Sequence, residues 1–249
     1  MTTETQNVKV QPPVKTALAI SKRDFYQWLD NQSYGYRTHI ASSPISGHDI
    51  FVSQPDDKHM GEFLHLPTAL LIRPECETNE DFLQVLPYII LRVKPKNDAV
   101  EISHLYKYMR PVKGTEVRLH DLYSIGFGGH IEEQPNKDKN FAEVIIDCAI
   151  RELEEEVNTK LTREQLVKAF SNAVIMHDTS NAVGRVHLCV ALFVDVSEDK
   201  VGEPDPKEVA NFGTSRRQLL LDAHAHGELQ LEPWSNHLLT HFEQNFTAV

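Results

Sequence analysis

The 249-residue sequence is short of cysteine, of basic charge and of long apolar runs. Its three cysteines, Cys76, Cys148 and Cys189, lie far apart, and none belongs to a CxxC pair. That pattern excludes a disulfide framework or a zinc ribbon as the organising device and points to a reducing compartment, the cytoplasm by default. No stretch of about 18 apolar residues occurs, so no membrane-spanning helix is expected. The opening residues, MTTETQNVKVQPPVK, are polar and lack the apolar stretch of a signal peptide. Against 36 acidic residues stand only 25 basic ones, a formal charge of -11. Such a chain repels polyphosphates and nucleic acid unless cations or local basic clusters intervene. This argues against a general nucleic-acid binder and mildly for a metal site. No internal repeat and no strong linker marks a second domain.

What is present reads as one layered α/β domain. Residues 1–14 read as a flexible tail, 15–249 as a single domain, and 15–63 as an N-terminal elaboration of it. SKRDFYQWL has Ser21 as N-cap, with Phe25, Trp28 and Leu29 at helical spacing. The stretch from Asp30 to Gly61 is rich in Ser, Gly, Pro and His and reads as short strands and loops. TALLIRP and PYIILRVKP are short apolar runs bounded by prolines, as buried strands are. EISHLYKYMR would pair with its predecessor across the turn KPKNDAV. NAVIMHD and RVHLCVALFVDV are further strands; SRRQLLLDAHAHG reads as a helix ending at Gly227. EPWSNHLLTHFEQNF reads as a closing helix with Pro233 in its first turn.

The clearest helix is NFAEVIIDCAIRELEEEVNT. Asn140 followed by Glu143 fits a capping box. Ile146, Ile150, Leu153 and Val157 form an apolar stripe, widened by Ala149. Beside it crowd Glu152, Glu154, Glu155 and Glu156. Like charges one turn apart cost roughly 0.2–0.5 kcal/mol per pair, and the helix C-terminus disfavours anions. A charge run is most often a solvated face; a bound divalent cation, which needs hard oxygen ligands, is the other reading.

The spacing favours the second. Glu143, seven residues, then Arg151-Glu152-Leu153-Glu154-Glu155-Glu156 resembles the E-x7-R-E-U-x-E-E portion of the Nudix box, U being aliphatic. SIGFGGHIEE upstream supplies the glycines Gly128 and Gly129. The GGHI text and the later SNAVGRVHLCVALFV and LEPWS segments are similar to the MutT-like predicted phosphoesterase branch, over roughly Pro87 to Phe246. The resemblance implies a Nudix-like α/β/α sandwich with a mixed sheet, a catalytic loop-helix-loop and an N-terminal extension. It implies Mg²⁺ or Mn²⁺ held by Glu152, Glu155 and Glu156, with the Gly128 or Gly129 carbonyl completing the shell. Arg151 would orient the carboxylates, unless it is a surface ion pair. Glu143 would support the loop or the hydrated metal, or simply cap the helix. Two departures stand out: thirteen residues rather than five separate Gly129 from Glu143, and Val157-Asn158-Thr159 replaces x-G-U. Asn158 can close the helix in a left-handed conformation.

The implied activity is metal-dependent cleavage of the pyrophosphate bond in a small nucleoside-diphosphate derivative. A nucleotide-binding or regulatory module that has lost catalysis is the alternative, which the intact carboxylates oppose. An isoprenoid diphosphate isomerase shares the fold but needs a pocket cysteine, and neither Cys148 nor Cys189 is an obvious one. For the general base Glu152 comes first, with Glu198, Asp199, Glu203 and Glu208 as later-loop candidates. His120, His130, His177 and His187 lie near strand ends or the glycine loop; structural roles are commoner for such histidines. His224 and His226 suit a surface helix better than a metal site. Arg118 could meet phosphate, and Tyr106, Tyr108 or Tyr123 could stack on a base, although strand aromatics are more often core. A homodimer is compatible with the resemblance, but no patch in the sequence marks one.

Overall fold

A computed structural model describes residues 14–31, 37–42, 49–93, 104–111 and 119–246. Most of the expected tail, the KPKNDAV turn and Arg118 lie outside the described residues. In chain order the elements are β1 (Thr16–Ser21), α1 (Lys22–Asp30), β2 (Arg37–Ser42), β3 (Asp49–Ser53), α2 (Asp57–Phe63), β4 (Thr68–Ile72), α3 (Arg73–Cys76) and β5 (Phe82–Val93). There follow β6 (His104–Met109), β7 (Tyr123–Ser124), β8 (Gly126–Phe127), α4 (Phe141–Val157), α5 (Arg163–Ala169), β9 (Val174–Asp178), β10 (His187–Val196), β11 (Ala210–Arg216), α6 (Arg217–Ala225) and α7 (Pro233–His241).

Two long strands organise the rest. β5 and β10 run parallel, in register from Gln84 opposite His187 to Val93 opposite Val196, within a sheet ordered β11-β6-β5-β10-β9-β3-β2. The other pairings are antiparallel, which makes the sheet mixed. Both faces are covered, as the near-continuous apolar runs required. Leu83, Val85, Ile89 and Leu91, with Leu188, Val190 and Leu192, pack under α4 and α1. Tyr88, Ile90, Cys189, Ala191 and Phe193 pack with Leu220 of α6 and Leu238 and Leu239 of α7. The layers are therefore α/β/α.

Several local expectations need correction. The stripe of α4 is buried at Ile146, Ala149, Leu153 and Val157 as expected, but Ile150 is only half-buried and Glu156 is buried with the stripe. TALLI forms β4 but is half-buried, since it pairs only with β1. The 15–63 region holds β1, β2 and β3 in the same sheet, and the helix α2, which its Ser, Gly and His content hid. SRRQLLLDAHAHG begins as strand: Arg216 ends β11, and α6 starts at Arg217.

The ends of α4 follow their chemistry. Asn140 accepts from the Glu143 N–H at 3.0 Å, and the Asn140 N–H donates to Glu143 Oε2 at 2.7 Å. Asn158 closes the helix with φ 45°. Thr159, buried, occupies the box position expected to be aliphatic; its hydroxyl donates to the Val157 carbonyl and accepts from the Gly202 N–H. The departure from the pattern thus ties a later loop to the helix. We expect Asn140→Ala to destabilise the fold by about 1 kcal/mol, measured by denaturant unfolding; an unchanged midpoint would remove the cap from the account.

Candidate functional site

The chain leaves β8 at Phe127 and enters the glycine loop, and each glycine has its own reason. A Cβ on Gly128 would stand 1.9 Å from the Pro87 carbonyl oxygen, and its φ is +153°. A Cβ on Gly129 would stand 2.4 Å from Glu152 Oε1. At Gly128 the backbone requires glycine, whereas a side chain at Gly129 would displace the Glu152 carboxylate. Beyond it the enlarged loop is braced by the N-terminal strands: Leu18 N–H donates to the Ile131 carbonyl at 2.7 Å, and Gln134 Nε2 to the Thr68 carbonyl at 3.3 Å.

Loop and helix open on a cavity of about 670 Å³, lined by Gly128, Gly129, Arg151, Glu152, Glu155 and Glu156 among others. Arg151 bridges the carboxylates: its Nη2 is 2.8 Å from Glu152 Oε1, and its Nη1 is 3.2 Å from Glu155 Oε2. The same Nη2 donates to the His130 carbonyl at 2.9 Å. Glu156 is 7% exposed, and its Oε2 has no hydrogen-bond partner among the described residues. Burial, opposed by Arg110 and reinforced by Glu152 and Glu208, pushes its carboxyl up to about 8. Burial raises Glu152 as well, against the pull of Arg151. An unpartnered buried carboxylate oxygen costs free energy unless something compensates it. Oxygen donors crowded this way suit a hard divalent cation, so these residues fit one.

The later acidic segment reaches the cavity because it is pinned to α4. Asp205 N–H donates to the Glu156 carbonyl at 2.8 Å. Asp205 and Glu208 line the wall; Glu198, Asp199 and Glu203 are exposed and not among its lining residues. Glu143 lies at the far end of α4 in its capping box, within 3.9 Å of Arg163. Glu154 pairs outward with Lys160 at 3.1 Å. The structure thus brings together Arg151, Glu152, Glu155, Glu156, Gly128 and Glu208, and leaves Glu143 apart.

Among the histidines, His130 and His187 line the cavity. Burial, with Arg73 and other cations around it, holds the His130 imidazole down at about 2, hence neutral. His177 sits in the core with Nδ1 2.8 Å from Tyr26 Oη, and burial lowers it to about 4. His120 is half-buried in the turn before β7, and His224 accepts from the Leu231 N–H. Tyr106 stacks on Phe212 and Tyr108 on Phe127, both buried, while Tyr123 lies beneath Lys107. None of the three lines the cavity; Trp234 does. Burial raises the Cys148 thiol to about 12, so it carries no thiolate. Arg110, Glu232, Lys15 and Arg73, which also line the wall, escaped sequence reasoning. They are single residues on separate elements with no shared spacing, although Glu232 and Trp234 stand inside the LEPWS text. No helix among the described residues is long and apolar enough to cross a membrane.

No protein-family model matches the chain. Protein YmaB of Bacillus subtilis (strain 168) is 33% identical over 116 residues, which cover 47% of this chain and 50% of that protein. The chain thus spans about half the length of this curated relative. Among solved structures, that of Tm1382, assigned to the Nudix hydrolases, aligns over 93% of this chain and 100% of its own, with a TM-score of 0.61 and 18% identity. At that identity the likeness is one of fold: the chain has the Nudix fold.

Proposed function

We propose that the protein is a Mg²⁺- or Mn²⁺-dependent pyrophosphohydrolase acting on a nucleoside-diphosphate-linked substrate. The observation that carries this reading is Glu156: a buried carboxylate with one unpartnered oxygen, on the same cavity wall as Glu152 and Glu155. Glu152, Glu155 and Glu156 would hold the cation, with the Gly128 carbonyl as a further ligand. When bound, the ion would supply charge neutralisation for the diphosphate and a lowered pKa for the attacking water.

The chain's own residues do the rest. Arg151 fixes Glu152 and Glu155 in one arrangement. Glu152, its pKa raised by burial, is placed to accept the proton of the attacking water; Glu208 is the later-loop alternative on the same wall. Lys15 and Arg73 offer cations to phosphate oxygens, and Trp234 offers an aromatic face to a base. Glu143 acts on the helix end rather than on the reacting atoms.

The deciding experiment is a panel of nucleoside-diphosphate derivatives incubated with the full chain and Mg²⁺ or Mn²⁺. Release of a nucleoside monophosphate that stops on chelation is the expected result. A folded, metal-supplied protein inert across the panel would instead support a binding module. Gly129→Ala bears on the geometry directly. The atoms nearest the added methyl are the carboxyl end of the flexible Glu152 side chain, so the fold should survive. Misplacing that carboxylate should lower turnover by about 100-fold, read as kcat at saturating metal. Unchanged turnover would mean that the position of Glu152 is immaterial.

A further inference from the structure

We propose that Glu77, His130 and His187 form a second cation site, one suited to a borderline transition ion such as Zn²⁺ and separate from the α4 carboxylates. A donor atom from each lies within 4.8 Å of the others. The two imidazole Nε2 atoms are 3.3 Å apart, and Glu77 Oε1 is 3.9 Å from each. Four-coordinate zinc with bonds of about 2.0–2.1 Å sets neighbouring donors roughly 3.4 Å apart. The histidine pair already has that spacing, and Glu77, partly exposed just after α3, needs a small inward movement.

The surroundings prepare the ligands. His187 is buried, and its Nδ1 lies 2.7 Å from the Val183 carbonyl. A carbonyl only accepts, so Nδ1 carries the proton and Nε2 presents its lone pair to His130 and Glu77. Fixing the tautomer through the distal nitrogen in this way is the usual support of a metal-bound histidine. Gln84 stands opposite His187 in the β5–β10 register, its amide nitrogen 3.2 Å from the same Nε2. Its Oε1 is buried without a partner among the described residues; turned over, the amide would give an oxygen to the fourth position. Arg73, 3.9 Å from Glu77, is the cation that competes for this carboxylate.

Ligand chemistry separates the two sites. Two imidazoles with one carboxylate favour Zn²⁺ or Co²⁺, whereas magnesium prefers oxygen alone. The inference does not rest on the hydrolase reading, and its test need not involve turnover. Chelator-stripped full-length protein is titrated with Co²⁺, whose visible bands report four-coordination. One equivalent with intense bands is expected, displaced by Zn²⁺ and not by millimolar Mg²⁺. His130→Asn and Glu77→Gln, both at partly exposed positions, should weaken Co²⁺ binding by at least about tenfold, with the circular dichroism spectrum unchanged. Glu156→Gln should keep the bands whatever happens to its turnover. The proposal is overturned if wild type binds Co²⁺ no more tightly than His130→Asn. It is equally overturned if the bands vanish in Glu156→Gln, because the ion would then belong to the helix carboxylates.

Discussion

Glu156→Gln will lower kcat/KM by at least about 1,000-fold, roughly 4 kcal/mol of transition-state stabilisation, and will make the metal-free protein more stable above neutral pH. The two effects share one cause. Glu156 is buried, and loss of water is the largest of the influences raising its carboxyl to about 8 from an ordinary 4.5. The folded state then binds this proton more tightly than the unfolded one. Stability is full below the unfolded value, near pH 4.5, and falls as pH rises toward 8, because the native chain must ionise a carboxyl away from water. The upper limit of that loss is about 5 kcal/mol. Glutamine carries no proton to lose. In chelator-treated samples the variant should match wild type near pH 5 and exceed its Tm by about 10 °C at pH 8.5. Added Mg²⁺ or Mn²⁺ should raise the wild-type Tm at pH 8.5 and leave the variant where it was. A variant less stable than wild type at pH 8.5 would mean that Glu156 is compensated by contacts within the chain. Full turnover in the variant would place the chemistry elsewhere.

This carboxylate also marks how far the residues alone could lead. Spacing along one helix is set locally, so Glu152, Glu155 and Glu156 could be picked out by position, and the capping box and the Asn158 stop with them. The near-continuous apolar runs in PYIILRVKP and RVHLCVALFVDV pointed to buried strands, and the order of strands and helices to the layered class. Three things were not legible, for a common reason. The burial of Glu156 beside Arg110, the docking of Asp205 on the Glu156 carbonyl and the meeting of Glu77 with His130 and His187 all join residues far apart in the chain. No period or motif records such contacts. The Ser- and His-rich 30–61 stretch misled because α2 is short and its cap, Asp56 accepting from the His59 N–H, is its main local signal. Glu143 shows the opposite difficulty. Two roles fitted one position, and the contacts seen are the cap and an ion pair with Arg163.

The largest expected loss of stability lies beside the carboxylates, at Glu232. Its side chain is 4% exposed and pairs with Arg110 Nε at 3.0 Å. On its other oxygen converge the hydroxyls of Tyr88 at 2.5 Å, Ser124 at 2.7 Å and Ser235 at 3.3 Å. Those hydroxyls also serve the backbone where β7 meets β8: Ser124 accepts from the Gly126 N–H, and Ser235 accepts from the Ile125 N–H. One carboxylate thus ties α7 to the strands that lead into the glycine loop. Removing it leaves the Arg110 charge without this partner and takes the shared acceptor from the buried hydroxyls of Tyr88, Ser124 and Ser235, a change that typically costs about 3–5 kcal/mol. Glu232→Ala should therefore lower Tm by about 10 °C. Glu232→Gln should cost less, since its amide oxygen still accepts from the hydroxyls while the charge opposite Arg110 is gone. Arg110→Met added to Glu232→Ala should recover part of the loss, giving a coupling of at least about 1 kcal/mol in a double-mutant cycle. Arg110 is also the main opposing charge felt by Glu156. Losing its partner should turn it toward that carboxylate, and the alkaline fall in metal-free stability should shrink in Glu232→Ala. A variant within about 0.5 kcal/mol of wild type would instead mean that this carboxylate does not hold α7 to the strands.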